Sequence, residues 1–207
     1  MDDSCVLIPK VLQISKEECS KIIEKKFNNT NCEIVDYKLS RLDEKCGFLG
    51  EHFRLTITVQ TGSHEPIDVF CFAKFLPENP AQIEFAVLTG SFKKEVFAYE
   101  TIFPKINSTG IGYLKSCIPE CYFLKPNYVL VFEDVYKRGF HSLGRYGYLD
   151  YDHILVIVKM LAKFHAASLV SEEILSKKQG RQYRFIEEYP NSFYESFYIN
   201  DKTHRGG

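Results

Sequence analysis

Residues 53–60 alternate strictly. Phe53, Leu55, Ile57 and Val59 share one parity; Arg54, Thr56, Thr58 and Gln60 share the other. Successive side chains of a strand point to opposite faces, so this spacing predicts a strand with one face on a core and one turned outward. Thr61-Gly62-Ser63 turns the chain, and residues 67–76 read as a further strand, apolar on both faces. An extended segment at 33–42 and a turn containing Gly47 and Gly50 come before. Together the three segments form an antiparallel meander.

The flanking signals are mostly helical. Ser15-Lys16-Glu17-Glu18 has the form of a capping box, followed by Cys19, Ile22, Ile23 and Phe27 at helical spacing. Pro77 breaks the sheet, and Asn79-Pro80 pairs an N-cap with proline at the first helical position. That helix runs to about residue 88 and stops at Gly90. A second, 92–103, is halted by Pro104, and 108–112 is loop. Residues 121–124 and 128–135 read as two more strands joined by a turn at Pro126-Asn127. Gly139, Gly144 and Gly147 mark a connection before a long helix at 151–170, and the remainder from 179 has weak periodicity. The expected fold class is α+β: a five-stranded antiparallel sheet with inserted helices, then the first helix of a second, helical lobe. The expected parts are an N-terminal helical extension (1–32), a sheet lobe (33–135), and a linker with the start of the helical lobe (136–207).

Composition narrows the function classes. A 14% aromatic content in 207 residues excludes wholesale disorder. A net charge of -1 leaves no basic footprint for nucleic acid or an anionic membrane, so neither is expected as a partner. The longest apolar run, 154–158, is interrupted by Lys159 and is too short to span a bilayer. Met1-Asp2-Asp3-Ser4 has no apolar core behind it and does not read as a signal peptide. Seven cysteines, an odd count, then suggest reduced thiols and a cytoplasmic location. Cys117 and Cys121 have no second Cys or His pair to complete a zinc site.

Four features could carry chemistry. Lys74 sits inside Val69-Phe70-Cys71-Phe72-Ala73-Lys74-Phe75-Leu76, where an ammonium is costly unless it is paired or snorkels to water. On a helical wheel Glu95 falls on the arc of Phe92, Val96, Tyr99, Ile102 and Phe103, while Lys93, Lys94 and Glu100 do not. A carboxylate on a buried face needs a cation, and Lys74 is the natural candidate; the alternative is a solvated glutamate at the edge of that face. Gly47-Phe48-Leu49-Gly50 can bring backbone N–H groups close to phosphate oxygens, or simply make a hairpin turn. Finally, the apolar strand 128–132 ends in Glu133-Asp134-Val135 and passes into a linker, either as a cleft edge or as a solvated strand end.

Strand, glycine turn, strand, lysine strand, glutamate helix, two strands and a linker is the order of a protein-kinase-like N-lobe. The wording of four segments resembles the insect ecdysteroid kinase-like family, also described as choline-kinase-like. These are Ala73-Lys74-Phe75-Leu76-Pro77; Phe92-Lys93-Lys94-Glu95-Val96-Phe97-Ala98-Tyr99-Glu100; Leu130-Val131-Phe132-Glu133-Asp134-Val135 with Arg138-Gly139-Phe140; and Leu161-Ala162-Lys163-Phe164-His165-Ala166-Ala167-Ser168. The resemblance implies an ATP-dependent kinase that phosphorylates a hydroxyl of a small molecule such as a steroid. Lys74 would hold the α- and β-phosphates and Glu95 would orient Lys74. Gly47 and Gly50 would lie over the phosphates, and Glu133, Asp134 and Val135 would form the hinge against adenine. After Gly50-Glu51 the family commonly has Asn and an aromatic; here the residues are His52-Phe53. The family also has a histidine at His165, which the helical pattern reads as a packed residue beside Ile154, Ile157, Leu161 and Phe164.

Phosphoryl transfer also needs an aspartate for the acceptor hydroxyl and an Asn and Asp for Mg²⁺. The family carries them in a later His-Gly-Asp loop, which nothing after His165 matches; the one later histidine is His204. Two expectations follow: a portion of a small-molecule kinase, or a short, catalytically dead protein binding nucleotide or a partner. A third is an unrelated α+β interaction domain in which Lys74 and Glu95 are structural. In the first case the helix from Tyr151 should carry apolar surface and the chain should self-associate, whereas a monodisperse monomer would favour the short protein.

Overall fold

The first helix begins where its capping box places it. In the computed structural model, which describes residues 12–29, 31–42, 49–141 and 147–194, α1 spans Lys16–Phe27. The Ser15 hydroxyl accepts from the Glu18 amide at 3.2 Å, and the Ser15 amide donates to the Glu18 carboxylate at 2.9 Å. Cys19, Ile22 and Ile23 are buried as expected, whereas Phe27, on the last turn, is exposed. Asn28 closes the helix in the left-handed conformation.

Strands β1 (Cys32–Arg41), β2 (Glu51–Thr61) and β3 (Ile67–Phe75) follow, then β4 (Cys121–Lys125) and β5 (Val129–Glu133). All pair antiparallel, in the spatial order β1-β2-β3-β5-β4. The first three strands are the expected meander; the last hairpin inserts β5 beside β3, turning at Asn127 with φ 56°. The strand expected to reach residue 135 stops at Glu133, because Asp134 caps a 3₁₀ turn (Val135–Arg138) by accepting from the Tyr136 amide at 3.0 Å. One sheet face holds the core: Phe53, Leu55, Ile57 and Val59 meet Val69, Cys71, Ala73 and Phe75, with Val129 and Val131 beside them. Helix α1 covers that face through Cys19, Ile22 and Ile23. Lys125 reaches Glu18 at 2.7 Å, tying the end of β4 to the start of α1.

The remaining elements are helical. Helix α2 (Pro80–Thr89) starts on Asn79, whose side chain accepts from the Ala81 amide at 3.0 Å. Gly90 follows with φ +61°, and the Tyr194 hydroxyl packs where a side chain on Gly90 would stand. Helix α3 (Ser91–Phe97) does not end at Pro104. It runs through a π-helical turn (Ala98–Ile102) into α4 (Phe103–Asn107), with the Phe103 amide donating to the Ala98 carbonyl. The wider turn gives room for the proline ring, which would otherwise press on the carbonyl four residues earlier.

After a 3₁₀ turn (Tyr113–Ser116), α5 occupies Tyr151–Gln179, nine residues longer than the pattern predicts, and a short α6 (Phe185–Glu188) follows. Asp150 caps α5 by accepting from the His153 amide at 2.9 Å. Ile102, Ile106, Ile111 and Leu114 pack with Ala167, Leu175, Tyr183 and Phe185 in a second core. The chain divides into two compact units, residues 1–85 with 120–139 and residues 86–119 with 140–207; the division falls within α2.

The short apolar run at 154–158 belongs to a much longer helix. Among the described residues α5 alone is long and apolar enough, by length and composition, to cross a membrane. Ile154, Leu155, Val156, Ile157, Val158 and Leu161 are exposed, whereas Phe164, Ala167, Ile174 and Leu175 of its second half join the core of the helical unit. His165 is exposed as well, so it is not the packed core histidine the pattern suggested. Its ring lies 6.0 Å from that of Phe164. The core-facing arc is the one carrying Phe164, Ala167 and Ser171 instead.

Candidate functional site

The face of the sheet opposite α1 carries the second parity of each strand. On it His52 of β2 stands in register with Lys74 of β3, and Lys74 with Leu130 of β5. The next row places Arg54 beside Phe72 and Phe72 beside Phe132. Lys74 and Phe72 are half-buried and Leu130 and Phe132 buried, so the lysine emerges from an apolar surface. The Phe72 ring lies 5.2 Å from His52 and 6.4 Å from Phe132, forming an aromatic row alongside the lysine. Arg54 and Asp134 pair at 3.6 Å on the same side.

Gly50 closes on this lysine. A side-chain carbon on Gly50 would come within 3.2 Å of Lys74 Cγ, 3.1 Å of the Phe75 carbonyl oxygen and 3.3 Å of His52 Nε2. A side chain at this position would be tight against the lysine stem, and its neighbours would have to give by a few tenths of an ångström. Gly47 lies outside the described residues.

Three charged groups join the strand ends next to Gly50, and Arg41 and Glu51 stand on the parity of Phe53 and Phe75, not on that of Lys74. Arg41, the last residue of β1, donates to the carboxylate of Glu51, and at 2.6 Å to that of Glu78. Hydrogen bonding to Glu78, then the two negative charges, hold the guanidinium above its ordinary pKa. Its plane lies over the Phe53 ring at 4.8 Å. Glu51 is 5% exposed.

The other expected residues are spread over both units. Glu95 sits half-buried on α3 of the helical unit, in an arc where Phe92, Val96 and Ile102 are buried, while Lys93 and Glu100, off that arc, are exposed. In the sheet unit Glu133 is a built residue and not a solvated strand end. Its carboxylate accepts from the Glu120 amide at 2.9 Å and from Arg138 at 2.7 Å. Asp134 is buried and Val135 opens the 3₁₀ turn. Lys74, Gly50 and the β5 exit thus share one unit.

Sequence reasoning missed Arg41, Glu78 and the His52–Phe72–Phe132 row. The row had a signal: Phe72 precedes Lys74 by two residues and must share its face. Arg41 and Glu78 had none, because their link depends on strand ends 37 residues apart meeting in space.

Among the described residues no group of three or more His, Cys, Asp or Glu side chains is placed to hold a metal ion. Among the described residues Cys19, Cys32, Cys71 and Cys117 are free thiols. Burial pushes Cys19 and Cys71 up to about 12.

No curated protein and no solved structure matches the chain. A comparison with protein-family models matches residues 46–205 to the ecdysteroid kinase-like family. The match covers most of the 207 residues and includes β2, β3, α3, β5 and α5. The five-stranded antiparallel sheet with its helices is the α+β architecture of a kinase-like N-lobe and part of a helical lobe. The chain belongs to the ecdysteroid kinase-like family.

Proposed function

We propose that this chain supplies the nucleotide-holding part of an ATP-dependent kinase that transfers phosphate to a hydroxyl of a small molecule such as a steroid. In such a transfer the γ-phosphoryl group moves to the hydroxyl oxygen and ADP leaves. The observation that carries the reading is the approach of the Gly50 backbone to the stem of Lys74, with its ammonium rising from an apolar sheet face. A cation beside a glycine backbone suits the negative charge of phosphates.

In this reading Lys74 holds the α- and β-phosphates, and Glu95 orients Lys74. Gly47 and Gly50 lie over the phosphates, and the backbone of Glu133, Asp134 and Val135 meets adenine. The pairing of β5 with β3 supports the last role, since it sets the strand leaving toward the linker next to the lysine strand. Mg²⁺ would be needed to neutralise charge on the transferred group, and its ligands belong to a catalytic loop that no segment of this chain matches. The reading places the protein in the cytoplasm, where ATP and free thiols are both maintained.

The test is nucleotide binding by the full chain, measured by titration calorimetry with Mg-ATP. Lys74→Met is expected to abolish binding while shifting Tm by only a few degrees, since a half-buried lysine contributes little to the core. Unchanged affinity in that variant would overturn the assignment. The isolated chain is expected to show no turnover with Mg-ATP and a steroid or other alcohol; phosphorylated product would reveal a catalytic group elsewhere in it.

A further inference from the structure

Arg41 lies at the end of β1, far in sequence from the lysine strand, yet its guanidinium joins the two segments that flank the Gly50–Lys74 approach. One arm reaches Glu51, the residue after Gly50; the other reaches Glu78, four residues after Lys74. Between them Glu51 stands in register with Phe75, whose carbonyl oxygen is the atom nearest to where a Gly50 side chain would begin. Pro77, just before Glu78, is fully buried and gives that segment a fixed base. On the other side the Leu42 amide donates to the His52 carbonyl at 3.0 Å, so the residues next to Arg41 and Glu51 are also held together.

We propose that Arg41 is a positioning residue for the phosphate end of a bound nucleotide. By holding Glu51 and Glu78 on one guanidinium, it keeps the Gly50 backbone against the stem of Lys74. The inference deepens the nucleotide-binding reading above and rests on it. A planar guanidinium has two directed arms and can serve two carboxylates in a fixed geometry, whereas a lysine ammonium is a single point of charge. Removing it takes a charge-assisted hydrogen bond from a carboxylate that is almost wholly buried. Without the guanidinium the Glu51 and Glu78 segments are no longer joined through one side chain, and the Gly50 backbone beside Glu51 is held less firmly against Lys74.

The experiment measures affinities of the full chain for ATP and for adenosine, with Tm, in wild type, Lys74→Met, Arg41→Ala and Arg41→Lys. Arg41→Ala is expected to weaken ATP binding about tenfold, the scale of one hydrogen bond, and to leave adenosine binding unchanged. Arg41→Lys should restore Tm but only part of the ATP affinity. A merely structural arginine would lower ATP and adenosine affinity together, in step with Tm, and that result overturns the proposal. Loss of ATP binding in Lys74→Met with wild-type affinity in Arg41→Ala would also overturn it while leaving the nucleotide reading intact. Failure of the wild-type chain to bind ATP would overturn both.

Discussion

The sheet unit and the first half of α5 differ in how they dispose of apolar surface. In the sheet unit Leu55, Ile57, Val59, Cys71, Ala73 and Phe75 are all fully buried, and α1 closes over them. In α5, Ile154, Ile157 and Leu161 remain about half exposed, at 47%, 48% and 51%. A paired sheet satisfies its backbone through its neighbours and needs one covering layer to bury one face. A helix satisfies its own backbone whatever surrounds it, so its apolar residues can stand uncovered without breaking the element. Secondary structure is therefore no guide to where the core lies in this chain.

Substitutions in the two regions should separate sharply. Leu55→Ala or Ile57→Ala is expected to cost about 2–5 kcal/mol in denaturant unfolding, the range for emptying a packed core site. Gly50→Ala is expected to cost about 1–3 kcal/mol, because the added carbon presses on a backbone carbonyl and the Lys74 stem. It should also weaken ATP binding, and a variant that binds as wild type would dissociate the glycine from the site. Ser15→Ala should cost about 1 kcal/mol through loss of the cap on α1. Ile157→Ala on the exposed run should stay within about 0.5 kcal/mol; a cost like that of Leu55→Ala would mean this face is covered in solution. The exposed run should show itself in association instead. Light scattering should find the wild-type chain self-associating and Val156→Glu/Leu161→Glu less so, and a monodisperse wild-type monomer would count against the contrast.

A separate effect is expected on alkaline stability. Burial is the main cause of the raised pKa of Cys19 and of Cys71, both pushed up to about 12 from an ordinary value of 9.0. The folded chain keeps these protons at pH values where the unfolded chain has lost them. Their contribution is thus fully present below about pH 9 and is lost as pH rises toward 12. The urea midpoint should fall between pH 8 and pH 10.5, and less steeply in Cys71→Ala. An equal fall in that variant would show that Cys71 does not contribute.

Local signals were legible wherever the physics was local. The capping box at Ser15, the cap at Asn79 and the alternation at 53–60 each depend on residues a few positions apart, and each stands as read. Pro104 misled because the rule it invokes assumes an α-helical turn, and the π turn before it removes the clash. His165 and Phe27 misled because helical periodicity tells which residues share a face, not which face is covered.

The sequence by itself determined the strands, the inward parity of β2, the helix starts and the four segments that carry the family likeness, since these reside in spacing along the chain. Only the tertiary structure decided that β5 lies against β3, that Gly50 meets the Lys74 stem, that Arg41 joins Glu51 to Glu78, and that half of α5 stays exposed. Each of these depends on residues distant in sequence meeting, or failing to meet, and that is settled by the packing of whole elements, not by the pattern within any one of them.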